Sequence, residues 1–174
     1  MDIDLNDAIA LLERAPRTLN ALLGALPSGW ATATEGGDSW SPFDVLGHLI
    51  HGEKTDWIPR ARLILDYGDS RAFVPFDRFA QFEASRGKTL ADLLDEFAAL
   101  RRENIAALRA MNLQPADFAR RGRHPALGEA TLGQLIATWV AHDLDHLNQI
   151  VRVLARQYAT EVGPWREYLG ILTD

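Results

Sequence analysis

Residues 131–154 read TLGQLIATWVAHDLDHLNQIVRVL, and the periodicity of this stretch sets the fold class. Thr131 stands three residues before Gln134, the spacing at which a hydroxyl and an amide side chain cap each other's backbone N–H groups at a helix start. Ile136, Val140, Leu147, Ile150 and Leu154 follow at helical intervals, so the segment reads as a long amphipathic helix running towards Gly163-Pro164.

The same grammar recurs upstream. Ser41-Pro42-Phe43-Asp44 supplies a cap, a proline at the first helical position and a returning carboxylate, predicting a helix to about Tyr67, before Gly68. Thr89-Leu90-Ala91-Asp92 opens another, with Leu90, Leu93, Leu94, Phe97, Leu100, Ile105 and Leu108 as its apolar stripe to about Met111. Leu5 to about Leu26 is apolar at helical spacing but contains Pro16, whose ring and missing N–H predict a kink. Between the second and third helices, Gly68 to Lys88 carries Phe73, Phe76, Phe79 and Phe82. This stretch is expected to pack on the bundle, with a short helix over Asp77 to Ala84. Strand signals are nearly absent. The expected fold is all-α: residues 1–174 as a single domain, a four-helix bundle with a long crossover between helices 2 and 3.

Composition narrows the chemistry. The chain has 174 residues, 47% of them hydrophobic, enough for one core without covalent staples. It has no cysteine, which excludes a thiolate metal site, a cysteine nucleophile and a disulfide framework. Acidic residues outnumber basic ones 24 to 18, giving a net charge of −6 that argues against nucleic acid as a partner. No apolar run approaches the ~18 residues of a membrane span. The start, Met1-Asp2-Ile3-Asp4, is acidic where a signal peptide is basic, so a cytoplasmic protein is expected.

No phosphate-binding glycine loop, nucleophile elbow, His-Glu-x-x-His or Glu-x-x-His motif is present. What remains is five histidines: His48, His51, His124, His142 and His146. His142 and His146 are four apart, on one helix face, where two imidazoles can grip one metal ion. Their wheel position, at the border of the apolar stripe with Trp139 and Gln149, suits a half-sheltered cleft. Two histidines at this spacing also occur by coincidence on helix surfaces, and a catalytic site needs a third ligand that spacing alone does not choose between His48 and His51. His124 reads more simply as a hydrogen-bonded loop residue. Asp44, Asp145 and Gln149 each lie about one turn from a histidine and could orient a ring N–H; as helix cap and surface residues they need no such role.

Trp40-Ser41-Pro42-Phe43-Asp44-Val45-Leu46-Gly47-His48-Leu49, the stretch from His124-Pro125 through Gly128 to Thr131-Leu132, and Trp139-Val140-Ala141-His142-Asp143-Leu144-Asp145-His146-Leu147-Asn148-Gln149-Ile150 together resemble the DinB-like superfamily of metalloenzymes. The resemblance spans nearly the whole chain, including Pro16 and Pro75-Phe76-Asp77. It implies a four-helix bundle with one metal-binding histidine on the second helix and two on the fourth, at His48, His142 and His146. The implied cofactor is a divalent metal, Zn²⁺ or Ni²⁺. Members of the superfamily include transferases that use a low-molecular-weight thiol. The resemblance thus implies a metal-dependent transferase joining such a thiol to an electrophilic small molecule, with a homodimer as the expected assembly. The alternatives are a metal-dependent hydrolase of amide or ester bonds and a non-catalytic, stress-associated binding protein.

Overall fold

The computed structural model describes residues 3–27 and 29–173; Met1, Asp2, Ser28 and Asp174 lie outside the described residues, and with them the first half of the acidic start. Three capping boxes close as their sequences require. Ser41 Oγ, Thr89 Oγ1 and Thr131 Oγ1 accept from the N–H groups of Asp44, Asp92 and Gln134 at 3.2, 3.1 and 3.2 Å, and each partner side chain returns the bond. A cap of this kind contributes about 1 kcal/mol. They start α3 (Pro42–Thr55), α6 (Leu90–Ala110) and α7 (Leu132–Arg156).

Two expected helices are each broken in two. The first is α1 (Leu5–Leu12) and α2 (Ala15–Leu23), a full break where a kink was expected. The second is α3 and α4 (Trp57–Tyr67), interrupted at Asp56. Proline is the common cause. Pro16 and Pro59 have no N–H to offer the carbonyls four residues back, Leu12 and Thr55, and their rings crowd those carbonyls. The chain is thus four rods: α1–α2, α3–α4, α6 and α7. α3 packs on both α6 and α7, α2 on α6, and α1 and α4 on α7. Residues 68–89 link the second and third rods, with α5 (Ala80–Ala84) packed against α3.

The fourth rod ends earlier than expected, at Arg156. Beyond Leu154 the apolar stripe is exhausted, and the following N–H groups bond three residues back, as from Tyr158 to Ala155 at 3.0 Å. A hairpin was not expected at all: β1 (Arg121–His124) pairs antiparallel with β2 (Gly128–Thr131), Arg121 opposite Thr131. RGRH and GEAT carry little β-branched signal; packing and turn chemistry hold them instead. His124 Nδ1 accepts from the N–H groups of Ala126 and Leu127 at 3.2 and 3.1 Å, closing the turn. A Cβ on Gly122 would come within 2.6 Å of Ile64 and 2.8 Å of Phe73, so only glycine lets the hairpin lie this close to α4.

The core is in two parts. Leu12, Trp57, Ile58, Ile64, Ile105, Leu108, Ile136 and Trp139 belong to one buried cluster; Leu19, Leu23, Leu46, Leu49, Leu93, Phe97 and Ile150 belong to the other. At the level where they meet lies Arg101, only 1% exposed. Among the described residues no helix is long and apolar enough to cross a membrane.

Candidate metal centre

α3 carries His48 inward from its middle, and α7 presents His142 and His146 one turn apart. The three Nε2 atoms converge: His142 Nε2 lies 3.1 Å from His48 Nε2 and 3.1 Å from His146 Nε2. His48 is 8% exposed and the other two are half-buried. Gln149, a turn beyond His146, presents its Oε1 2.9 Å from His146 Nδ1. That contact places the proton on Nδ1 and leaves the His146 Nε2 lone pair facing the other rings.

The donor set fits a cation. A proton on one nitrogen cannot bridge both short contacts at His142, whereas an ion at the meeting point satisfies all three lone pairs. The 3.1 Å separations are close to the roughly 3.3 Å edge of a tetrahedron with metal–nitrogen distances of about 2.0 Å. Burial, reinforced by mutual repulsion among the rings, lowers the pKa of His48 and of His142 to about 3. Burial lowers His146 too, against the opposing pull of Gln149 and Asp145. At neutral pH all three rings are therefore neutral, the form that ligates.

Aromatic rings wall the triad. Trp40 and Phe76 lie 5.0 and 5.2 Å from the His48 ring, and Trp57 lies 5.2 Å from His142, itself stacked on Trp139 at 5.7 Å. A cleft of ≈ 430 Å³, lined by Asp38, Trp40, Arg78, Phe79, His146 and Gln149 among others, gives access from one side. The remaining candidates fall elsewhere. His51 packs on Phe76 at 4.8 Å, and His124 serves the hairpin turn. The Asp44 carboxylate turns back onto Ser41, accepting from its N–H and hydroxyl at 3.0 and 2.6 Å. Asp145 is exposed, and it reaches His146 through its charge.

Behind the triad stands a group that the sequence reading missed. Arg101 on α6 holds Asp143 of α7 in a two-pronged pair, Nη1 to Oδ2 at 2.5 Å and Nη2 to Oδ1 at 3.0 Å. Nη2 also reaches Glu53 of α3 at 2.8 Å, and Nη1 reaches the Leu12 carbonyl of α1 at 2.9 Å, the oxygen that Pro16 leaves without a donor. One guanidinium thereby joins all four rods. Trp139 Nε1 and Asn104 Nδ2 donate to the two Glu53 carboxylate oxygens at 2.9 and 3.0 Å. Burial opposes the charge on Arg101, but Asp143 and Glu53 outweigh it and hold its pKa above the ordinary value; burial pushes Asp143 upward, against the pull of Arg101. A signal was present. Each of the three charges sits where its helix stripe calls for an apolar residue: Arg101 between Phe97 and Ile105, Asp143 between Trp139 and Leu147, Glu53 between Leu49 and Trp57.

Comparison with known proteins matches this architecture. No curated protein matches the chain. Among solved structures it is similar to YfiT from Bacillus subtilis, described as "a probable metal-dependent hydrolase with an unusual four-helix bundle topology": TM-score 0.76 at 24% identity, over 89% of this chain and 90% of that one. A second likeness is to TT2238, a four-helix bundle protein, with TM-score 0.49 and 22% identity over 87% of this chain and 97% of that one. The profile of the DinB superfamily matches residues 11–150. With its four-rod bundle and histidine cluster, the chain belongs to the DinB superfamily.

Proposed function

We propose that this chain is a mononuclear metalloenzyme in which His48, His142 and His146 hold one divalent ion, Zn²⁺ or Ni²⁺, and that it transfers a low-molecular-weight thiol to an electrophilic small molecule. The convergence of three neutral imidazole nitrogens on one point carries this reading. A divalent ion there supplies positive charge that lowers the pKa of a thiol or water bound beside it. The chain's own residues do the rest. Gln149 fixes the His146 tautomer, Trp57 braces His142, and Trp40 and Phe76 keep bulk water from the His48 face.

The surroundings favour thiol transfer. Among the described residues, the side chains in ring or hydrogen-bond contact with the triad are aromatic rings and the Gln149 amide, none of which delivers a proton at neutral pH; Asp38 and Arg78 line the cleft beyond them. Hydrolysis of an amide requires protonation of the leaving nitrogen, whereas a thiolate adding to an electrophile requires no protein acid. With no cysteine in the chain, the sulfur arrives with the cosubstrate. Hydrolysis is the second reading, favoured by the description of YfiT. A homodimer remains part of the proposal, with sedimentation as its measure.

Metal content of the purified protein, followed by a thiol panel with a generic electrophile, tests the proposal. Wild type is expected to hold one ion per chain and to consume thiol; the His142→Ala, His146→Ala variant is expected to do neither. Equal metal uptake by both proteins defeats the site assignment, and turnover of esters or amides without thiol defeats the transfer reading.

A further inference from the structure

On the face where the first rod meets α6, a cavity of ≈ 680 Å³ opens beside the α1–α2 break. Its lining shares no residue with the cleft at the histidines. Small residues make the space: Ala10 and Pro16 on one side, Ala98 and Ala106 on the other. Long cations border it. Arg14 and Arg17 come from the first rod, Arg102 and Arg109 from α6.

Among the described residues Glu13 is the one acid in the lining, and it pairs with Arg109 at 2.9 Å. Both side chains of that pair are about half exposed, at 47% and 56%, so water screens it and an incoming anion displaces it at little cost. Arg17 and Arg102 are exposed and make no ion pair among the described residues. In a chain of net charge −6 this is a local reversal of sign: the lining carries Arg14, Arg17, Arg102 and Arg109 against Glu13, with Arg14 also donating to the Ala10 carbonyl. Arg101 also lines the cavity. It is 1% exposed, and its Nε has no hydrogen-bond partner among the described residues although both terminal nitrogens are engaged.

We infer that this groove binds a small molecule carrying two or more oxyanion groups, phosphate or carboxylate. The guanidinium fork matches either group bidentately, and arginines on two facing walls suit a ligand charged at both ends. The volume is that of an ordinary small-molecule site. The site needs no metal, and it stands or falls independently of the histidine centre.

Calorimetric titration with inorganic pyrophosphate, and separately with tricarballylate, tests the inference and tells phosphate from carboxylate recognition. At low ionic strength at least one probe is expected to bind saturably. The Arg17→Ala, Arg102→Ala variant should weaken it about tenfold or more, because two charge-assisted contacts are lost. Ala98→Leu, which fills the floor without altering a charge, should weaken it as well. An Arg62→Ala, Arg123→Ala variant, which removes two exposed cations elsewhere, should bind as wild type. So should His142→Ala, His146→Ala, which separates the groove from probe held by a metal ion. Absence of saturable binding by both probes overturns the inference. So does equal weakening by the two arginine variants, full affinity in Ala98→Leu, or loss of binding in the histidine variant.

Discussion

Two buried polar clusters meet at adjacent positions of α7: Asp143 belongs to one and His142 to the other. The first is closed but for Arg101 Nε, which has no partner among the described residues. Each carboxylate around Arg101 finds donors inside the protein, and the guanidinium caps an orphaned carbonyl as well. The second is open. Three nitrogens point at one another, and the buried Nδ1 atoms of His48 and His142 have no partner among the described residues. Burying polar groups costs free energy unless they are paired. Where the carboxylates are all paired inside the protein, the cluster serves the fold; where lone pairs converge without donors, the site is built for something that comes from outside.

The sharpest way to break this contrast is to open the closed cluster. Arg101→Met strands two buried carboxylates and a carbonyl, and is expected to destabilise the protein by about 3–5 kcal/mol in urea denaturation. Loss of less than a third of that would show that water already reaches the cluster. Closing the open cluster tests the other half of the contrast. Metal at a hundredfold excess over its dissociation constant should stabilise wild type by about 2.7 kcal/mol in thermal melts and leave His142→Ala unaffected. Gln149→Leu removes the contact that fixes the His146 tautomer and should weaken metal binding by roughly 10–100-fold in competition with a chelating dye.

Acid probes the same cluster without mutation. Unfolded histidines take up protons below about 6.5, whereas folded His48 and His142 resist to about 3. The unfolded state therefore binds more protons between these values. In metal-free protein the contribution is full above pH 6.5 and falls as pH drops towards 3, by up to about 1.4 kcal/mol per pH unit for each ring. Subtracting the urea series of His142→Gln isolates it; a flat difference would mean that the rings are solvated. The smallest effect is the control. Arg86→Ala removes an ion pair with Glu83 whose side chains are 76% and 72% exposed, and should change stability by no more than about 0.5 kcal/mol.

Helix starts were legible because capping is local: a hydroxyl and a partner three residues on are sufficient, and all three boxes form. The break at Asp56 was equally local, written in Pro59, but the unbroken apolar stripe around it concealed it. The β-hairpin was hidden for the opposite reason, since Gly122 is held by Ile64 and Phe73, residues distant in sequence. At the site, spacing made His142 and His146 a pair, but the third imidazole came from family likeness, because nothing along the chain says that α3 and α7 meet at His48. The Arg101 cluster shows how easily a gap in a stripe is overlooked. Three helices each carry one charge in an apolar face, and no single helix reveals that the three complete one another.

The reach of Arg101 to all four rods has a consequence for alignment along the bundle axis. Sliding α3 or α7 by one helical turn, about 5.4 Å, would carry its carboxylate away from the guanidinium and bring an apolar side chain in its place. Apolar side chains at successive turns are nearly interchangeable and set axial position only weakly; a single cation with fixed partners is a gauge. It sets the height of α3 against α7, and so decides that His48, five residues before Glu53, comes level with His142, the residue before Asp143.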